Sequence, residues 1–298
     1  MTVLRTPDAR FANLPDYPFV GRYTDVDGLQ LHYVDEGPGD GEAVLLLHGE
    51  PSWSYLYRFM IPPLADAGFR VIAPDLIGFG KSDKLGKRAD YSYARHVQWM
   101  TAFVENLGLT DINLFCQDWG SLIGLRVAAE NEARFARIVL ANGGLPTGDQ
   151  PMPKAFRQWQ RFARMSPWFP IGKIIQKATR RTLSAAEVAA YDAPFPSERY
   201  KAAARAFPLL VPTTPDNPAS EANRAAWQTL ERWEKPFLTL FSDRDPITRG
   251  GERLWQSRVP GAAHAPHRVM KNGGHFLQED CGPELAAAMI SFCRSADQ

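Results

Sequence analysis

Cysteine is scarce in this sequence, and the spacing of the three thiols excludes two kinds of small stabilised domain. Cys116, Cys281 and Cys293 are the only cysteines among 298 residues, and they form neither a C-x-x-C pair nor a zinc-ligand pattern. An odd number of widely spaced cysteines argues against a disulfide framework and against a zinc knuckle. We therefore expect a fold that is stabilised by an apolar core rather than by cross-links.

Long apolar runs and an excess of charge of one sign are also missing. Nowhere do about eighteen apolar residues follow one another, as a membrane-spanning helix requires, and the first residues contain no apolar signal segment. The 34 lysines and arginines balance 33 aspartates and glutamates, which leaves a formal charge of +1. Such a chain has no field that concentrates nucleic acid or an anionic membrane. We expect a cytoplasmic protein with neither of these partners.

What the sequence has in quantity is apolar and aromatic side chains. Hydrophobic residues make up 45% of the chain and charged residues 22%, and eight residues are tryptophan. This composition is typical of a globular protein and excludes the low-complexity and collagen-like classes. The length suits two domains or one large α/β domain with an insertion.

The order of apolar patterns indicates an α/β fold. Residues 19–36 alternate apolar and polar side chains around the turn Asp27-Gly28, which predicts a β-hairpin. Continuous apolar runs are typical of strands buried on both faces. Four such runs, separated by helical patterns, lie at residues 43–47, 70–73, 112–115 and 138–141. Strands that alternate with helices predict a mostly parallel, doubly wound sheet after an antiparallel start.

Residues 144–234 differ from the chain on either side of them. This stretch has helical patterns broken by many prolines, is rich in aromatics and contains no run typical of a buried strand. Strand patterns return at residues 236–241 and 267–270, and residues 283–294 predict a closing helix. Insertions of this kind often lie over an active site as a lid. The predicted units are a core domain of residues 1–143 and 235–298 and an all-helical cap of residues 144–234.

The hexapeptide 116–121 carries a candidate nucleophile. It follows the predicted strand at 112–115 and precedes a helical pattern, which is the arrangement of a nucleophile elbow, written G-x-S-x-G in esterases. Here Asp118 occupies the place of the serine. Ser121 lacks the spacing of the motif, which argues against a serine esterase. The alternative for Asp118 is a carboxylate that caps the N-terminus of the helix.

After this turn the chain supplies an acid and then a histidine, in the order that follows a nucleophile elbow. Asp245 comes after one predicted strand and His275 after the next. Asp243 is a rival acid, but it lies nearer the end of its strand, so Asp245 is favoured. We predict that Asp118 is the nucleophile, His275 the base and Asp245 the acid.

The loop after the strand at 43–47 predicts an oxyanion hole. In enzymes with a nucleophile elbow, a loop at this place donates one backbone N–H to the oxyanion, and the residue after the nucleophile donates the second. Glu50 occupies the first place and Trp119 the second. A turn that leaves the strand is an equally good description of this loop and does not exclude the role.

Two histidines, His264 and His267, have the H-x-x-H spacing of some metal ligands. A structural or catalytic zinc site needs three or four ligands. The sequence offers no further ligand close to these two, so we expect no metal site.

Three motifs in combination resemble those of the haloalkane dehalogenases, a family of the α/β-hydrolase superfamily. They are His48-Gly-Glu-Pro-Ser-Trp, Gln117-Asp-Trp-Gly and Gly274-His-Phe, and the similarity runs from about residue 19 to residue 292. Within this family the sequence resembles the subfamily that has Glu in the first loop and its catalytic acid after a later strand. Another subfamily has Asn in that loop and uses a Glu after the sixth strand as the acid. The resemblance implies an α/β-hydrolase fold and hydrolysis of small haloalkanes to an alcohol, a halide ion and a proton. It also implies an alkyl ester on Asp118 as intermediate and no cofactor.

The resemblance further implies that two tryptophan indoles hold the halide. One follows the nucleophile, which matches Trp119. The other lies in the first part of the cap, where residues 156–159 resemble the family better than residues 167–168, so Trp159 is the candidate and Trp168 the substitute. The alternative for either side chain is packing within the cap.

Two other functions stay open at this point. An epoxide hydrolase has the same aspartate nucleophile and normally two lid tyrosines, for which Tyr191 and Tyr200 are candidates, but it usually has an aromatic residue at the place of Glu50. A catalytically silent binding protein on this fold is the other alternative, and the complete set of nucleophile, base and acid argues against it. The near-zero net charge favours a small, uncharged, apolar haloalkane as substrate, with water as the second reactant. The oligomeric state stays open, a monomer included.

Overall fold

The computed structural model describes residues 2–295; Met1 and residues 296–298, which the predicted core domain includes, lie outside the described residues. The strands within this range are β1 (Val3–Leu4), β2 (Gly21–Val26), β3 (Leu29–Glu36), β4 (Ala43–Leu47), β5 (Arg70–Pro74), β6 (Lys84–Leu85), β7 (Ile112–Asp118), β8 (Phe135–Gly143), β9 (Phe237–Ser242) and β10 (Arg268–Met270). The α-helices are α1 (Ile61–Asp66), α2 (Tyr93–Asn106), α3 (Trp119–Glu130), α4 (Lys154–Met165), α5 (Ile171–Ala178), α6 (Ala185–Asp192), α7 (Ala202–Leu210), α8 (Ser220–Leu230), α9 (Glu252–Arg258) and α10 (Leu277–Ser295).

Eight of these strands form one sheet, in the order β10-β9-β8-β7-β4-β5-β3-β2. β2 pairs antiparallel with β3, and β3 pairs antiparallel with β5. All other neighbours in this sheet pair parallel. The mostly parallel sheet with an antiparallel start, predicted from the sequence, is confirmed. β1 and β6 form a separate antiparallel ladder that the sequence patterns did not predict.

The position of each strand explains its apolar pattern and the place of the site. β4 lies between β5 and β7 in the middle of the sheet, and all five of its residues are buried. Continuous apolar runs fit such central strands, which are covered on both faces. The carboxyl ends of parallel strands meet at one edge of a sheet, where ligands bind in open α/β folds. The loops after β4, β7, β9 and β10 carry the candidate site residues to this edge.

Helix boundaries differ from the sequence patterns mainly at the end of the chain. The closing helix, predicted from residue 283, begins at Leu277 in α10. Cys281 interrupts it with a non-helical backbone (φ −138°, ψ 26°). Pro283 lies just after this break. Its ring and its missing N–H disfavour a continuous helix, which explains why the helix is interrupted there. The apolar pattern therefore located the second part of the helix and not the first.

Between β8 and β9 the described residues form helices α4 to α8 and no strand. α6 shows how the local sequence fixes a helix end, because Ser184 and Glu187 form a capping box. The Ser184 hydroxyl accepts the Glu187 N–H at 3.2 Å, and the Glu187 carboxylate accepts the Ser184 N–H at 2.7 Å. The division into core and cap stays a prediction. Within residues 2–295 no helix has both the length and the apolar character needed to cross a bilayer.

Candidate active site

Asp118 lies in a strained turn between β7 and α3. Its φ of 51° is in the left-handed region, which is rare for a residue with a side chain. Two glycines make room for the turn: a Cβ on Gly120 would lie 2.0 Å from the Leu47 carbonyl oxygen, and one on Gly49 would lie 2.4 Å from Asp118 Oδ1. The Asp118 side chain makes no capping hydrogen bond to the described helix, so the interpretation as a helix cap is wrong.

The structure brings the predicted nucleophile, base and acid together. His275 Nδ1 lies 3.0 Å from Asp245 Oδ2, and His275 Nε2 lies 3.3 Å from Asp118 Oδ2. Asp245 is fully buried, whereas the Asp118 side chain is 23% exposed. The rival acid Asp243 accepts the backbone N–H of Asn272 at 2.8 Å instead. The geometry therefore favours Asp245 over Asp243 as the partner of His275.

Backbone groups hold the acid and the base in place. The Asp245 carboxylate accepts the N–H of Ile247 at 2.9 Å and that of Thr248 at 3.3 Å, and it also accepts the Thr248 hydroxyl. The N–H of His275 donates to the carbonyl of Ala178, the last residue of α5, at 2.8 Å. The loop that carries the base is thus bonded directly to the helical segment between β8 and β9.

The surrounding charges decide the protonation of His275. Burial by itself lowers the pKa of His275, but the charge of Asp245 and the hydrogen bonds to Asp118 and Asp245 raise it well above the usual value. Burial raises the pKa of Asp245, but His275, Thr248 and Ile247 outweigh this effect and lower it. The two neighbouring carboxylates therefore favour the protonated form of the His275 imidazole.

One of the two predicted oxyanion donors already contacts the carboxylate. The N–H of Glu50 donates to Asp118 Oδ1 at 2.7 Å. The N–H of Trp119, at the start of α3, makes no hydrogen bond to this carboxylate within the described chain. The side chain of Glu50 is buried, and burial together with the charge of Asp118 raises its pKa well above the usual value. These surroundings therefore favour the neutral form of the Glu50 carboxyl group.

A cavity of about 1080 Å³ opens onto this group. Asp118, Trp119 and His275 form part of its wall. Apolar side chains that line it include Leu122, Leu145, Phe156, Phe162 and Ile174. A largely apolar cavity with a few convergent polar groups is the usual form of a small-molecule site.

Comparisons with known proteins agree with this geometry. A family model described as alpha/beta hydrolase fold matches residues 42–280. Curated haloalkane dehalogenases from Psychrobacter cryohalolentis and Mycolicibacterium paratuberculosis are each 57% identical over 297 residues, which is 98% of this chain and of theirs. The chain belongs to the haloalkane dehalogenases. The solved structure of the tetrameric haloalkane dehalogenase from Paraglaciecola agarilytica is similar with a TM-score of 0.89 and 34% identity, over 96% of this chain and 97% of that one.

The tryptophans proposed for halide binding in this dehalogenase lie in different surroundings. Trp119, 3% exposed, and Trp159 both line the cavity, and the Trp159 indole forms a hydrogen bond that lowers the pKa of Glu50. Trp168 is 61% exposed and does not line the cavity. Its ring lies under the Lys173 ammonium, 5.4 Å from the ring centre. The geometry therefore favours Trp159 over Trp168 as the second indole.

The two tyrosines considered for an epoxide hydrolase do not reach the cavity. Tyr191 is fully buried and donates its hydroxyl to Glu279. Tyr200 directs its hydroxyl at the Arg5 carbonyl, 3.5 Å away. Among the described residues that line the cavity there is no tyrosine at all. A ring-opened alkoxide at Asp118 would lack the donors that the alternative requires.

Two amides that support the base escaped the sequence analysis. Asn142 Nδ2 donates to the carbonyls of Gly274 at 2.9 Å and His275 at 3.1 Å, and Asn142 Oδ1 accepts the Ser242 N–H at 2.8 Å. Gln117 Nε2 donates to the His275 carbonyl at 3.1 Å. No role for Asn142 follows from the sequence patterns. Asn142 lies near the end of β8, which pairs with the strand that carries Asp118, and this position was the available signal.

One histidine of the H-x-x-H pair, His267, has a structural role in which both of its ring nitrogens form hydrogen bonds. His267 Nδ1 accepts the Thr239 N–H at 3.1 Å, and its Nε2 donates to the Ala262 carbonyl at 2.7 Å. Both ring nitrogens are therefore engaged by the protein. Within residues 2–295, no group of three or more His, Cys, Asp or Glu side chains is placed to hold a metal ion.

Proposed function

We propose that the protein hydrolyses small, apolar haloalkanes through a covalent alkyl ester on Asp118. The observation that carries the proposal is one apolar cavity whose wall contains Asp118, its hydrogen-bond partner His275 and two tryptophans, Trp119 and Trp159. Unlike a serine hydroxyl, a carboxylate is itself a nucleophile and needs no base to attack. Family membership supports the same reaction.

In the first step a carboxylate oxygen of Asp118 attacks the carbon that bears the halogen. A carbon–oxygen bond forms, the carbon–halogen bond breaks, and the electron pair leaves with the halide. The halide needs hydrogen-bond donors and no proton. The indole N–H groups of Trp119 and Trp159 suit it because they donate without accepting and carry no charge that would retain the anion.

In the second step water hydrolyses the ester. Esterification removes the charge and the hydrogen bond by which Asp118 raises the pKa of His275, so the imidazole releases its proton to solvent and becomes a base. His275 then takes a proton from water, which attacks the carboxyl carbon, and the oxyanion meets the N–H groups of Glu50 and Trp119. Asp245 orients His275 and stabilises its imidazolium. The tetrahedral intermediate then collapses: its bond to the alkoxide oxygen breaks, and the alkoxide takes the proton held by His275 and leaves as the alcohol. The Asp118 carboxyl group gives its own proton to His275, which restores the carboxylate and the protonated imidazole.

The test uses short bromoalkanes and a matched variant. The protein should release bromide and acid in equal amounts from 1-bromobutane, and Asp118→Asn should release neither. Diol formation from a short epoxide without bromide release from any bromoalkane would contradict the proposal. The cytoplasmic location, the reliance on no cofactor and the oligomeric state stay predictions, the last to be measured by sedimentation.

A further inference from the structure

The exposed charges around the cavity are of one sign. Among the described residues that line it, the two acids, Glu50 and Asp118, lie on the inner wall beside the base. Every exposed charged side chain of the lining is basic. Four of these side chains form what we name the basic mouth: Lys177, Arg180, Arg244 and Arg249. A fifth, Arg258, pairs with Glu231 and is not counted.

The basic mouth lies next to the catalytic base on two sides. Lys177 and Arg180 flank Ala178, whose carbonyl accepts the His275 N–H at 2.8 Å. Arg244 directly precedes Asp245, and its N–H donates to the Gly273 carbonyl at 3.1 Å. The segments that carry these cations are therefore bonded through their backbones to the loop of the catalytic base. Lys177 and Arg180 lie at or just after the end of α5, and Arg244 lies in the loop after β9.

Neighbouring acids balance only part of this charge. Arg244 Nε lies 3.9 Å from Asp243 Oδ1, a long ion pair, and Arg249 contacts only the Asp243 carbonyl, at 3.5 Å. The carboxylate of Asp280 is used by backbone N–H groups, including those of Arg180 at 2.9 Å and Gly274 at 2.7 Å. Among the described residues, Arg244 is thus the only one of these four cations with an ion pair to a carboxylate, in a chain whose formal charge is only +1.

We propose that the basic mouth binds the anionic end of a substrate whose other end carries the halogen, so that the enzyme prefers ω-haloalkanoates to uncharged haloalkanes of equal length. The inference rests on the proposed function and extends its substrate class from apolar haloalkanes to haloalkanes with a terminal carboxylate. The methylene chain would lie along Phe156, Phe162 and Ile174, with the carboxylate at the mouth. Arginine forks match a carboxylate. The carboxylate stays in contact with water at the mouth, so no charge is buried without a partner.

The experiment compares 6-bromohexanoate with its uncharged methyl ester at low ionic strength, with bromide release as the readout. We expect kcat/KM to be about tenfold higher for the carboxylate, within the range of electrostatic steering into a charged cleft. The ratio should fall towards one in about 0.5 M salt, because exposed charges are screened. In the triple variant Lys177→Gln, Arg180→Gln, Arg244→Gln it should approach one already at low salt.

A matched triple variant of exposed cations outside the cavity lining, Lys87→Gln, Arg161→Gln and Arg253→Gln, controls for the change in net charge and should keep the native ratio. A native ratio near one, or an unchanged ratio in the first triple variant, overturns the inference. The inference is also overturned if the first triple variant differs from the native protein only in its inhibition by added bromide, because the cations would then bind the product halide and not the substrate carboxylate. No bromide from either substrate would contradict the dehalogenase function itself.

Discussion

At the scale of single residues, the protonation of His275 depends on whether Asp118 is charged. Asp118 raises the pKa of His275 by its charge and its hydrogen bond. In Asp118→Asn, which mimics the uncharged ester, the pKa of His275 should be lower than in the native protein, as an NMR titration of the ring would show. His267, whose pKa is lowered by burial, provides the internal control and should not change.

The same shift makes a prediction about stability. A native pKa above the unfolded value of about 6.5 means that protonated His275 stabilises the fold below that pH and loses this effect as the pH rises through the native pKa. The free energy of unfolding should therefore fall with rising pH more in the native protein than in Asp118→Asn. Parallel curves for the two proteins in chemical denaturation would contradict the coupling.

The two candidate acids can be separated by one pair of variants. Asp245→Asn should lower kcat by about 10²- to 10⁴-fold, because His275 loses the carboxylate that orients it and stabilises its imidazolium. Asp243→Asn should change kcat for an uncharged bromoalkane little, since Asp243 bonds Asn272 and not the base. Initial rates of bromide release decide between them, and a larger loss in Asp243→Asn would reverse the assignment.

The two candidate cap tryptophans can be separated in the same way. Trp159→Phe should abolish most of the fluorescence quenching by bromide and lower kcat by about 100-fold, the usual effect of losing one donor to a developing anion. Trp168→Phe should alter neither, because its ring is exposed outside the cavity. Quenching that disappears in Trp168→Phe instead would contradict the assignment of Trp159, which both the family resemblance and the cavity lining favour.

Chain order was enough to predict Asp118, Asp245 and His275, since the elbow motif fixes the sequence of nucleophile, acid and base. It could not choose between Trp159 and Trp168, because both lie in the predicted cap and only the packing decides which one lines the cavity. Asn142 escaped for the same reason. Its four hydrogen bonds join three strand ends that are far apart in sequence.

At the scale of elements, a buried charge network joins α6 to α10. The Arg58 guanidinium bonds Glu279 at 2.5 and 2.9 Å and Glu187 at 2.9 Å. Arg181 Nε donates to Glu279 at 3.0 Å, and the Tyr191 hydroxyl donates to the same carboxylate. The side chains of Arg58 and Glu279 are fully buried. Removal of one charge from such a network leaves its partner buried without compensation.

We therefore expect Glu279→Gln to lower the free energy of unfolding by about 3–5 kcal/mol. The matched control is Glu231→Gln, which breaks an ion pair with Arg258 between side chains that are 40% and 41% exposed. Its cost should be about 1 kcal/mol or less, because exposed pairs are weak. Urea unfolding of both variants measures the difference. Equal losses would show that the network contributes no more than a surface pair.

Element positions were easier to predict than element ends. Sequence patterns located every strand of the large sheet. Alternation located β2 and β3, and continuous apolar runs located the central strands, because burial on both faces imposes such a run. They missed the two-residue strands β1 and β6, which are too short for any period, and the first part of α10, where the chain breaks at Cys281. These features depend on contacts with distant parts of the chain.

At the scale of the whole molecule, net charge proved a weaker guide than its distribution. A formal charge of +1 favours an uncharged substrate, but it hides the cations that gather at the mouth of the cavity. The net charge is near zero although the mouth is basic, because acids elsewhere in the chain balance those cations. Only the folded structure shows which charges a substrate meets first.

The central claim is the covalent ester, and one measurement tests it directly. His275→Phe, incubated with 1-bromobutane, should release about one bromide per protein and gain the mass of one butyl group on the peptide that contains Asp118. Displacement by the ionised carboxylate continues in this variant, but hydrolysis stalls without the base. The additional change Asp118→Asn should prevent the gain. An unmodified mass, or a butyl group on another residue, would contradict the account.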